Sequence, residues 1–148
     1  MKPHILSRWL AVAMLCTALG VSQSTGQTKA GLFQTMGGME TVSKLASGLL
    51  QSSASDPRLA GVMGKVDAGS ISPKLADQMC SMLGGGCKAP LTNQQIATGA
   101  SKLDASQTKA LSDNFSSTLG KMTTNPLVKE GVSKAIRPKL GGIVGALI

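Results

Sequence analysis

The sequence contains no tyrosine, two phenylalanines and one tryptophan. Proteins that hold single-stranded nucleic acid combine clustered charge with stacking aromatics. Beyond Trp9 only Phe33 and Phe115 are aromatic, so no stacking platform can be built. The charge pattern agrees. Lys and Arg total 15 against 7 Asp and Glu, a formal net charge of +8. From Lys29 to Lys139 no two basic residues are adjacent, which is the pattern of a solvated surface rather than a phosphate-binding patch. Nucleic acid is therefore excluded as an expected partner. Histidine is scarcer still, with His4 alone near the start. Serine nucleophiles then have no imidazole to activate them, and a structural zinc site lacks its usual ligands. Asp104 and Asp113 stand too far from other carboxylates to suggest an acid–base pair. The chain reads as a non-enzyme.

Long hydrophobic runs are missing too. Trp9 to Val21 is apolar apart from Thr17, but it is shorter than the roughly 20 residues a membrane-spanning helix needs. With Lys2 and Arg8 before it and small residues at Ala18-Leu19-Gly20 and Ser24-Thr25-Gly26 after it, the stretch reads as a cleaved export signal. Cys16 would be the lipid-bearing residue of a lipoprotein, yet Ala13-Met14-Leu15 is a poor match to the residues that usually precede one. The expectation is a signal over residues 1–26, export to a bacterial periplasm or beyond, and a domain over 27–148 with no stable membrane span.

What the domain does have is glycine at three breaks: Gly37-Gly38, Gly84-Gly85-Gly86 and Gly141-Gly142. The middle one lies between Cys80 and Cys87 and forces a turn, since each glycine costs roughly 1 kcal/mol against alanine inside a helix. Around the breaks the apolar period is helical. Met39 to Ala54 places Val42, Leu45, Ala46, Leu49 and Leu50 on one face, and Asp56-Pro57 ends it. A link carries Leu59, Val62, Met63 and Val66. Ser72-Pro73 is expected to start a helix that turns Leu75, Met79 and Met82 inward. Thr92 or Asn93 caps a short segment containing Ile96. Ser106 is expected to cap a longer one bearing Leu111, Phe115, Thr118, Leu119 and Met122. Asn125-Pro126 opens a last helix with Leu127, Val128, Val132 and Ile136, expected to break near Pro138. Period-two alternation is nowhere sustained, so the expected class is all-α.

These motifs, taken in order, resemble the group I truncated haemoglobins. Phe33-Gln34-Thr35-Met36-Gly37-Gly38 is similar to the family's opening Leu-x-x-x-Gly-Gly. A helix of matching length then reaches Asp56-Pro57-Arg58-Leu59. Cys80 to Lys88 resembles Leu-Cys-x-x-x-Gly-Gly-Pro-Cys-Lys, and Pro138 to Val144 resembles the family's ending. The resemblance spans roughly Gly31 to Val144 and implies a two-over-two helical sandwich around haem that binds oxygen or a related diatomic ligand.

Carried over position by position, the resemblance implies a degenerate haem site. The proximal histidine falls on Ala100, or on Thr98 without a two-residue insertion, and neither ligates iron as imidazole does. The distal Phe-Tyr pair falls on Leu49 and Leu50, the polar glutamine on Leu75 with Ile71 one turn before it, and the haem-wedging phenylalanine on Met63. Sulfur from Met63, Met79, Met82 or the cysteines could in principle replace imidazole, but methionine at helical spacing is ordinary core filler. The expected state is haem-free, a structural or binding module for a protein partner or small apolar ligand; the alternative is haem or oxygen-type ligand binding through non-histidine ligation. In an oxidising compartment Cys80 and Cys87 are expected to form a disulfide.

Overall fold

A computed structural model describes residues 29–148; the expected export signal, with His4 and Cys16, lies outside them. The described residues form seven helices and no strand: α1 Lys29–Met36, α2 Gly38–Ala54, α3 Ala60–Met63, α4 Ala68–Met82, α5 Asn93–Ala100, α6 Ala105–Met122 and α7 Pro126–Leu147. The all-α expectation holds. None of these helices is long and apolar enough to cross a membrane.

Four long helices make the body. α2 packs on α4 and on α6, and α7 packs on α6 and α4, closing a ring around a single core. α1 bridges α2 and α7, while α5 lies against α7. The expected face of α2 is buried in full, from Val42 through Leu50, and meets Leu75 and Met79 of α4 with Leu111, Phe115 and Leu119 of α6 in one apolar cluster. Fully burying a leucine-sized side chain contributes roughly 1.5–3 kcal/mol, so an aliphatic core of this extent can hold the fold with few aromatics. Ser53, Gln78 and Thr118 are the buried polar residues among those described, and Ser53 stands apart from the other two. Its hydroxyl is wholly buried with no hydrogen-bond partner among the described residues.

Three helix boundaries differ from the expectation. α4 begins at Ala68 rather than after Ser72, because Asp67 caps it: its carboxylate accepts the Gly69 N–H at 3.0 Å and the Ser70 hydroxyl at 2.8 Å. Pro73 therefore sits inside the helix, and the Ser72 hydroxyl lies 3.0 Å from that of Ser47, tying α4 to α2. α6 is capped by Asp104 rather than Ser106. Asp104 and Gln107 exchange side-chain bonds with each other's backbone N–H at 2.7 and 3.0 Å, a reciprocal capping box. Ser106 has Lys109 three residues on, which accepts nothing.

The third difference is the largest. α7 runs unbroken through Pro138 to Leu147, and Gly141-Gly142 is buried helix rather than a break. An interior proline costs about 3 kcal/mol or more, which the burial of Leu140, Ile143 and Val144 beyond it offsets. Met82, expected inward, is only half-buried; Leu83 after it is the buried residue at that end of α4.

Candidate functional site

The positions that the globin resemblance singles out divide into two sets. Leu49 and Leu50 on α2, Met63 on α3, and Ile71, Leu75 and Met79 on α4 are all buried in the one core cluster. Leu49, Leu75 and Met79 have no exposed surface at all. Ala100 does not join them. It is exposed and lines a shallow groove with Asn93, Pro138 and Lys139, and Thr98 is exposed on the same short helix.

The reason lies in how α5 is held. Its buried residues, Ile96 and Gly99, both face α7. There Gly142 and Gly145 bring the two backbones so close that a methyl on Gly145 would overlap the Gly99 carbonyl, and one on Gly142 would overlap that of Ile96. A helix clamped this way turns Thr98 and Ala100 outward. The stretch before it is fixed as well. Gly84 and Gly86 adopt left-handed backbone with φ of 81°, a conformation that glycine enters without steric cost. A Cβ on Gly85 would lie 2.6 Å from both the Cys80 sulfur and the Phe33 ring. The Leu91 N–H donates to Gln78 Oε1 at 3.1 Å, returning the loop to α4.

Cys80 and Cys87 are joined in a disulfide with Cα atoms 5.7 Å apart, as expected. Both thiols are thereby consumed, so neither offers iron or zinc a thiolate. Among the described residues no group of three His, Cys, Asp or Glu converges on a common point. The residues present do not fit haem. A porphyrin between α2, α4 and α5 would have to displace Leu49, Leu50, Leu75 and Met79 from close-packed positions, and α5 presents no side chain to iron from the facing side.

The carboxylates that might have served as acid or base have other work. Asp104 caps α6. Asp113 accepts from Lys109 at 3.1 Å and from Arg58 at 3.2 Å, and these bonds hold its carboxyl below the usual range. Asp56 takes two bonds from the Arg58 guanidinium, one from the Arg58 N–H and one from Asn114, so that the corner after α2 is tied to α6. Its side chain is 9% exposed. The Arg58 side chain, and then its N–H, hold the Asp56 carboxyl far below the ordinary carboxylate range.

A depressed folded-state pKa means that the network stabilises fully above the unfolded value of about 3.9 and is lost as pH falls below it toward the folded value. Acid unfolding monitored by circular dichroism should therefore steepen below about pH 4 in the native protein. Asp56→Asn should unfold more readily at neutral pH and show a shallower acid limb. An unchanged acid limb in Asp56→Asn would remove this network from the account.

One surface feature carries no signature in the sequence. A separate surface groove of about 510 Å³ lies where α3 and the start of α4 meet the end of α7, with Lys65 and Lys74 in its wall. Its lining comes from segments about eighty residues apart, so no local pattern could have pointed to it. No family model, curated protein or solved structure matches the chain.

Proposed function

We propose that this protein is an exported, haem-free relative of the truncated globins that acts as a non-enzymatic structural or binding module. The observation that carries the reading is the filling of the positions that the resemblance assigns to the haem pocket. Leu49, Leu50, Leu75 and Met79 occupy them as solid aliphatic core, and the segment that would bear the iron ligand turns Ala100 to solvent. The order of motifs supports the ancestry. So does the helix pairing, with α2 on α4, α7 on α6, and each pair contacting the other, which is compatible with a two-over-two sandwich. The Cys80–Cys87 disulfide favours an oxidising compartment and hence export.

The test is an absorbance spectrum of the freshly purified protein, followed by titration with haem. The expected result is no Soret band and no saturable stoichiometric complex. A stable one-to-one haem complex would overturn the haem-free reading, and loss of its spectrum in Met79→Ala would then assign the ligation to sulfur.

A further inference from the structure

We propose that the groove between α3, the start of α4 and the end of α7 binds a single-chain aliphatic carboxylate, a free fatty acid. The groove is separate from the sealed core, so the proposal does not depend on descent from a haem protein. Its floor is Val62, Val66, Ile71 and Leu147, aliphatic throughout. Ile71, a buried core residue, presents its remaining 7% of surface there. A ligand with an aromatic body would find nothing to stack on, and one with a polar body would find few orienting groups. The polar side chains at the start of α4 are already engaged, since Ser70 donates to Asp67 and Asp67 caps Gly69.

The charge in the wall is what selects the other end of the ligand. Lys65 and Lys74 are exposed and share the groove. Among the described residues, Lys44, Arg58, Lys109 and Lys134 are held in ion pairs. Lys65 and Lys74 form no ion pair among the described residues, although Asp67 belongs to the same groove wall. Two unpaired ammonium groups above an aliphatic floor complement a carboxylate on a hydrocarbon chain. The volume of about 510 Å³ lies within the roughly 300–1,000 Å³ of ordinary small-molecule sites. Lysine stems can also lie along such a chain while their charged ends reach its head.

The experiment is an amide NMR titration of the ¹⁵N-labelled full chain with dodecanoate below its micelle-forming concentration. Parallel titrations use dodecyltrimethylammonium, which has the same chain with the opposite charge, and vesicles of anionic phospholipid. Saturable shifts are expected at Val62, Val66, Ile71 and Leu147, with no matching binding of the cation. In the Lys65→Gln/Lys74→Gln double variant the dodecanoate affinity should fall about tenfold or more, as expected for loss of charge-assisted bonds. Both lysines are exposed, so the variant should keep the native circular dichroism. A folded variant that binds dodecanoate as tightly as the native protein overturns the proposal. So do shifts confined to other surfaces, equal binding of the cation, or response to vesicles alone. If circular dichroism instead shows the double variant unfolded, Lys74→Gln alone is titrated, and an unchanged affinity there overturns the proposal equally.

Discussion

Gly145→Ala is expected to destabilise the protein by at least about 3 kcal/mol, at or beyond the upper end of ordinary overpacking costs. The added methyl would overlap the Gly99 carbonyl on α5, which is backbone and cannot swing aside as a side-chain end could. Relief requires separating α5 from α7, and that would open the contact that buries Ile96 against Gly142. For a domain of this size the loss corresponds to a melting temperature lower by about 10 °C or more. Gly120→Ala is the control. Gly120 is also helical, but nothing lies within 4 Å of a Cβ built there. That substitution should be neutral or stabilise by up to about 1 kcal/mol through helix propensity and reduced freedom of the unfolded chain. Thermal unfolding of the two variants side by side decides the matter. Equal, small effects would mean that the α5–α7 crossing is looser than described.

Loss of the Cys80–Cys87 bond should have the second largest effect. The bond closes a short loop, with a sequence separation of 7. Chain-entropy arguments for a loop of that length give about 2.5 kcal/mol, a large part of the 5–15 kcal/mol that holds a typical domain together. Guanidinium unfolding with and without reductant should show the difference as a lower midpoint. The Cys80→Ala/Cys87→Ala double variant should reproduce it and be insensitive to reductant. Local consequences should be confined to residues 83–92, because the Gln78–Leu91 hydrogen bond and the packing of Phe33 against Gly85 persist only while the loop is held to α4. Hydrogen exchange that accelerates equally across α6 would contradict that localisation.

Much of the architecture was legible before any coordinates. The apolar face of α2 was readable because five residues recur at helical spacing and all five are buried. The start of α7 at Asn125-Pro126 was readable because an Asn side chain that can cap precedes a proline that needs no N–H partner. The disulfide followed from two cysteines flanking a forced turn. Helix starts were less legible where two capping residues compete. Ser106 was expected to cap α6, but Asp104 does so with a return bond from Gln107, and Ser72 was expected to open α4 because the proline beside it suggests a first turn, but Asp67 caps it. α1, Lys29–Met36, was missed, since Phe33 to Met36 were read only as part of a motif and not as a helix.

What the sequence determined by itself was the class and the interior: helices, an aliphatic core, and no imidazole in the domain to bind metal or activate a nucleophile. The tertiary structure decided what the glycines mean. Gly84-Gly85-Gly86 is the turn that its composition announces, because positive φ is a local demand of the backbone. Gly141-Gly142 has a similar composition and is buried helix. There the absence of a side chain serves a neighbour: Gly142 lets the backbone of α5 approach α7 while Gly141 faces Thr108 of α6, and no local pattern encodes the position of a second helix. The same reason hid the groove at Lys65 and Lys74 and turned Ala100 outward. Local conformation is set by residues a few positions away, whereas which faces meet is set by the packing of the whole chain.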